Sequence, residues 1–269
     1  YSFVNWSDGS SANPRTDTNV TTNLSVTANF AINTYTLTYA AGAGGTISGT
    51  SPQTVNHGAN GSAVTAVPNA GYSFVNWSDG STANPRTDTN VTANVSVTAN
   101  FAINTYTLTY SAGTGGTISG TSPQTVNHGA DGTAVTAVPN AGYSFVNWSD
   151  GSTANPRTDT NVTANLSVTA NFAINTYTLT YTAGAGGTIS GTSPQTVNHG
   201  ANGTAVTAVP NAGYSFVNWS DGSTANPRTD TNVTANLSVT ANFAINTYTL
   251  TYTAGTGGTI SGISPQTVN

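Results

Sequence analysis

The sequence predicts an all-β protein, poor in helix and built as a tandem array of small antiparallel modules that together form a rod. Three observations carry that expectation. YSFVNWSDGS begins at Tyr1, Tyr72, Tyr143 and Tyr214, and TYTLTY begins at Thr34, Thr105, Thr176 and Thr247, so one 71-residue unit recurs almost unchanged. Inside the unit, apolar residues alternate with Thr and Ser at the period of two that marks strands with one buried face. Strong helix formers are missing, since the chain has no Glu, Lys or Met, and no window sustains the i, i+3, i+4 apolar spacing of a helix.

The elements follow in order along the copy at 35–101. Tyr35, Leu37 and Tyr39 alternate with Thr36 and Thr38, which predicts a first strand. Gly42-Ala43-Gly44-Gly45 ends it, because glycine reaches the positive φ that tight turns need. A short second strand is expected over 46–48, interrupted by Gly49 and Ser51-Pro52, and extended chain resumes over 53–56. The segment 57–61 closes on Asn60-Gly61, a strong turn signal. Residues 63–67 are strand-like through Val64, Thr65 and Val67. The next strand places Tyr72, Phe74 and Asn76 on one side and Val75 and Trp77 on the other, which predicts a central strand covered on both faces. Residues 83–92 read as polar and irregular around Pro85-Arg86. Val95, Val97, Ala99 and Phe101 then alternate with Ser96, Thr98 and Asn100, the cleanest amphipathic strand of the module.

The resulting organisation is a C-terminal part of a repeat at 1–30, whole repeats at 35–101, 106–172 and 177–243, and an N-terminal part of a repeat at 248–269. Only Ala102-Ile103-Asn104-Thr105 separates one module from the next, too short for free swivelling. With a module diameter of about 30 Å from the scaling of size with chain length, the array would extend roughly 100–150 Å. Each partial repeat leaves an unpaired strand edge. Either a longer polypeptide continues the array, or the tail of one subunit completes the head of the next by strand addition. The missing counterpart of residues 57–71 favours the first.

Composition narrows function. Charged residues make up 5% of the chain, against about 25% in an ordinary soluble domain, so Thr, Ser and Asn must supply solubility. Four Arg, one per copy, cannot neutralise a nucleic-acid backbone or hold an anionic membrane. No apolar run approaches the ~20 residues of a transmembrane helix. Cysteine is absent, so no disulfide supports modules near the lower size limit for independent folding. Packing within modules and contacts between neighbours must do so instead. A chain without Lys, Cys or Met offers little to trypsin-like proteases and to sulfur oxidation, which fits an extracellular or cell-surface location.

Candidate chemistry is sparse. Asp79 and Asp88, with Ser78 and Ser81, hold some of the oxygens a calcium site needs, but two carboxylates nine residues apart fit a turn Asp and a surface Arg86–Asp88 pair better. His57 lacks companion ligands and any nucleophile motif, and reads as a solvated turn histidine. Trp77, Tyr72 and Phe74 suit either a sugar-stacking platform or the core, and the area they bury favours the core. Asn76-Trp77-Ser78, Asn90-Val91-Thr92 and Asn94-Val95-Ser96 are glycosylation sequons, which an Asn-rich composition also produces by chance. A Lys–Asn isopeptide crosslink is excluded for want of Lys, whereas composition alone leaves a Thr–Gln ester at Gln53 open. No catalytic, cofactor-binding or metal-binding residue is assigned.

The sequence YTLTYTAGAGG-TISG, then GYSFVNWSDG, then VTANF resembles the divergent InlB B-repeat group and the related Listeria–Bacteroides repeats of bacterial surface proteins. Gly71, Tyr72, Phe74 and Trp77 match the Gly-Tyr-x-Phe-x-x-Trp pattern of those repeats, and the likeness covers the whole chain. The resemblance implies a β-grasp-like module on a cell-surface or secreted protein, used as spacer or adhesin stalk, with no catalytic residues to carry over. The expected function is an extracellular structural array, the stalk or filament body of a surface protein. The alternative is a multivalent adhesin whose repeats bind glycan or protein. Expected partners are neighbouring repeats, other copies of the chain and, for the adhesin, surface glycan.

Overall fold

The computed structural model describes residues 1–269; it contains no helix, and 47% of the chain is strand. Contacts group the chain into two compact units, residues 1–108 with 123–133 and 158–166, and residues 109–122 with 134–157 and 167–269. The first holds the whole repeat at 35–101, the second the whole repeat at 177–243.

In the repeat of the first unit six strands follow one another: β1 (Thr34–Ala41), β2 (Gly45–Ser48), β3 (Gln53–Asn56), β4 (Thr65–Pro68), β5 (Tyr72–Trp77) and β6 (Val95–Ile103). Strands at the same spacing recur in the two later copies. The main sheet has the order β3-β1-β6-β5, and β2 pairs with β4 in a separate two-stranded sheet. Pairing is antiparallel for β1 with β3 and for β5 with β6. The central pair, however, is parallel, with Leu37 opposite Val95, Tyr39 opposite Val97 and Ala41 opposite Ala99. The purely antiparallel expectation is corrected on this point. Parallel neighbours need a long crossover, and here residues 42–94 supply it with the β2–β4 pair and loops in place of a helix. A parallel centre flanked by antiparallel edges is the β-grasp arrangement.

The alternation of β1 and β6 builds the core as the pattern predicts. Leu37 and Tyr39 from β1, Val97 and Ala99 from β6, Val64 and Ala66 from around β4, Trp77 from β5 and Val91 from the last loop form one buried cluster. Thr36, Thr38, Ser96 and Asn100 lie on the opposite face of the sheet and are exposed. Gly44 and Gly45 are required by this packing. The Tyr72 ring lies where a Cβ on Gly44 would be, and the Phe101 ring where one on Gly45 would be.

Strand β5 departs from expectation. It is an edge strand, not a central one. Its register against β6 shifts between Phe74, opposite Phe101, and Asn76, opposite Asn100, so Val75 is the extra residue of a β-bulge. One inserted residue reverses the alternation downstream. Trp77 therefore joins Phe74 on the core side, their ring centroids 5.9 Å apart at 61°, while Val75 is 48% exposed. Large residues on both sides of the strand thus come from a bulge, not from burial of two faces.

Polar side chains complete the backbone pairing where strands run out. The Ser51 hydroxyl accepts the Tyr39 N–H and donates to the Tyr39 carbonyl, each at 2.8 Å. Asn84 serves Ala66 in the same way, its Oδ1 accepting the amide at 2.9 Å and its Nδ2 donating to the carbonyl at 2.8 Å. Asn94 Oδ1 accepts the Thr36 N–H at 2.9 Å. Gln53, buried opposite Leu37, donates to the Thr50 and Ser62 carbonyls and accepts the Ser62 N–H, so its carboxamide staples the β3 end to the next loop.

The bulge separates two neighbouring apolar positions cleanly. Trp77→Ala should cost about 3–5 kcal/mol as a cavity in the core, and Val75→Asp less than about 0.5 kcal/mol as an exposed substitution. Chemical denaturation of the whole chain checks this: Trp77→Ala should split off an early transition for its repeat, and Val75→Asp should leave the profile unchanged.

Candidate functional site

Every repeat carries one Arg flanked by two Asp, and the fold gathers them into one clamp. Arg86 lies in the irregular loop before β6, but it is 7% exposed rather than on the surface. A bridge between Val64 and Arg86 holds its backbone, with the N–H of each donating to the carbonyl of the other at 2.9 and 2.8 Å. Its guanidinium donates through Nε and Nη2 to Asp88, at 2.9 and 2.7 Å, and through Nη1 to Asp79 at 2.7 Å. Its Cζ stands 5.5 Å from the centroid of the fully buried Trp77 ring, within cation–π range. The Tyr39 hydroxyl donates to Asp88 at 2.6 Å. In the second unit Arg228, Asp221, Asp230, Tyr181 and Trp219 repeat the arrangement.

The electrostatics follow from these contacts. Hydrogen bonds from Arg86 hold Asp88 below the usual carboxylate range against the opposing effect of burial, and the Tyr39 hydroxyl lowers it further. Asp79 is lowered chiefly by the same guanidinium. Burial, then the bond to Asp88, pushes the Tyr39 phenol up. The expected surface Arg86–Asp88 pair is thus corrected to a buried clamp, since two carboxylates and an indole face replace the water around the guanidinium. Asp79 and Asp88, weighed as calcium ligands, turn their oxygens to Arg86. Trp77 lies in the core and is closed to sugar stacking. A shallow groove recurs beside the clamp loop, lined by Leu108, Val162 and Leu166 in one copy and by Leu179, Val233 and Leu237 in another.

A second constellation lies where one repeat meets the next, and only its short link is visible in the sequence. The link is shorter than expected. Strand β6 runs to Ile103 and the following first strand starts at Thr105, leaving Asn104 alone between them. The Asn104 N–H donates to the Gly71 carbonyl at 2.8 Å, its Oδ1 accepts from Ser73 Oγ at 2.6 Å, and its carbonyl accepts the His128 N–H at 2.8 Å. The His128 ring packs on Gly71 of the preceding repeat, where any Cβ would collide with it. Tyr106 Oη lies 3.3 Å from His128 Nδ1. Within the second unit Asn175, Gly142, Ser144 and His199 form the same junction.

The solvated-turn expectation fails wherever a preceding glycine turn is present, since His128 and His199 are half-buried against Gly71 and Gly142. Identical local sequence hid this, because the packing partner belongs to another copy. Gly71 also has a φ of 79° and donates nothing to the motif but its backbone. The sequence signal for the junction was only the shortness of the link.

The profile of the divergent InlB B-repeat domain matches residues 1–34, 35–105, 106–176 and 177–247. The chain belongs to the divergent InlB B-repeat family. Domains of this family are typically found in bacterial surface proteins, and the family is a repeat-type domain not known as enzymatic. Among curated proteins none matches the chain. In this InlB-type array the clamp holds each repeat together, and the junction ties a repeat to the next.

The clamp sets the acid limit of the array. Carboxylates depressed in the folded state stabilise it fully above about pH 4, the unfolded value, and that contribution is lost as pH falls through the lower folded values. Thermal melts should show the loss only in the acid range. Asp88→Asn should cost about 3 kcal/mol at neutral pH by leaving the buried guanidinium short of a partner, and should weaken the acid dependence.

Proposed function

We propose that the chain is a structural segment of a bacterial surface protein, the stalk or filament body that carries other parts away from the cell. The junction supports this reading most. One residue links consecutive repeats, and four hydrogen-bonding or packing contacts tie Gly71, Ser73, Asn104 and His128 together in the first unit. Such contacts couple a repeat to its neighbour, so that stability includes a nearest-neighbour term. The near-identity of the copies agrees, since a load-carrying array needs equal links and no specialised copy. The adhesin reading draws no support from the aromatics, because Trp77, Trp148 and Trp219 are fully buried.

Two measurements test the proposal. Pulling the chain from its ends should give three unfolding events of equal size, each releasing about 230–250 Å of contour for a 71-residue repeat. Smooth extension without such events would overturn the structural role. The coupling is tested by a paired substitution. Gly142 and Gly213 share a positive φ of 78° and 81°, but only Gly142 has a histidine against it. Gly142→Ala should therefore cost more than Gly213→Ala and should separate the denaturation transitions of adjacent repeats, as should His199→Ala. Equal effects of the two glycine substitutions would remove the junction from the argument.

A further inference from the structure

We propose that Asn90, Asn161 and Asn232, with Asn19 in the partial repeat, are acceptor sites for N-linked oligosaccharide. Each repeat contains three sequons, and the structure sorts them. Asn76 lies beside the bulge on edge strand β5, its Oδ1 accepting from Asn100 Nδ2 at 2.9 Å, and the middle residue of its sequon is the buried Trp77. Asn94 uses its Oδ1 to cap the Thr36 N–H, and its sequon runs into β6. Asn90 is different. It stands exposed at a turn with φ of 49°, its N–H bonded to Asn60 Oδ1, and its own carboxamide makes no hydrogen bond to the protein. Asn161 and Asn232 have φ of 49° and 50° and are likewise exposed.

The left-handed turn by itself accounts for asparagine, which tolerates that conformation. The clamp accounts for Asp88. Thr92, two residues after Asn90, is exposed with no partner in the fold, so both side chains of the sequon are open to an enzyme. Together the three residues give Asp88-Thr89-Asn90-Val91-Thr92, a sequon with a carboxylate two residues before the acceptor, and it recurs as Asp159 to Thr163 and Asp230 to Thr234. Phe74 and Thr92 stand two residues before Asn76 and Asn94, so the acid is missing from both other sequons.

The transfer joins Asn90 Nδ2 to the anomeric carbon of a lipid-pyrophosphate-linked oligosaccharide. The bond from that carbon to the pyrophosphate oxygen breaks, the lipid pyrophosphate leaves, and the amide gives up one proton. In the folded repeat Asp88 stays on Arg86 and Tyr39 while Asn90 and Thr92 are exposed, so transfer takes place at the turn of the folded, exported chain. The folded repeat then accommodates the glycan at an exposed turn, on a surface whose side chains carry almost no charge. This goes beyond the structural role and shares with it only export of the chain, which the experiment supplies.

The test exports the 269-residue chain to the periplasm of a bacterium that carries an N-oligosaccharyltransferase and its undecaprenyl-pyrophosphate oligosaccharide. Intact-mass measurement should show successive glycan increments up to four, mapping to Asn19, Asn90, Asn161 and Asn232. Thr92→Ala should remove one increment and leave the melting temperature unchanged. Absence of any increment, glycan on Asn76 or Asn94, or a full set of increments in Thr92→Ala would each overturn the proposal.

Discussion

A single guanidinium, held between two carboxylates over an indole, is the constraint on which each repeat depends. The crossover from β1 to β6 is long, and no disulfide or helix organises it. Arg86 gathers its parts: the backbone bridge to Val64 fixes the region before β4, Asp79 fixes the turn after β5, and Asp88 reaches Tyr39 on β1. Burying these charges is costly, and the hydrogen bonds and the ring offset that cost without a large surplus. What the clamp supplies is location, since a polar loop with no charge of its own could rest on the core in many ways. In the partial repeat at 1–34 Arg15 still binds Asp8 and Asp17 and lies 5.4 Å from the Trp6 ring, so the clamp is a local property of the second half of the repeat.

Concentrating charge in this way leaves the remaining surface to hydroxyls and amides, but those groups are not only solvating. Ser51, Gln53, Asn84 and Asn94 each satisfy backbone groups that no strand reaches. The one charge change among the copies fits the same logic. Asp131 replaces Asn60, and the position is used only as an acceptor, bonded by the Asn161 N–H in one copy and the Asn90 N–H in the other. A polar composition that reads from the sequence as surface is thus partly internal scaffolding.

The alternations of β1 and β6 were legible in the sequence because each strand keeps a strict period of two beside a hydrophobic core. Their relative direction was not, since parallel and antiparallel partners present the same alternation. Strand β5 escapes its pattern for a different reason: one unpaired residue at Val75 inverts parity, and a strand without its partner does not reveal which residue is extra. Pro, Thr and Asp surround Arg86 in sequence and suggest exposure, whereas its neighbours in space are Trp77 and Val64. His128 shows the same limit between copies, where a repeat read alone omits half of its contacts.

The single-residue link has a bearing on how such a chain reaches its structure. Near-identical neighbours invite domain swapping, in which a strand of one copy takes the place of the same strand in the next. The most accessible wrong pairing joins β6 to the strand that follows it, because the two are adjacent in sequence. Reversal into a hairpin needs at least two residues free for the turn, and Asn104 is the only one outside the strands. Such a hairpin would have to unravel strand ends that the core and the junction already use. Brevity at that point therefore works as a kinetic gatekeeper, steering each strand toward the distant partner in its own repeat.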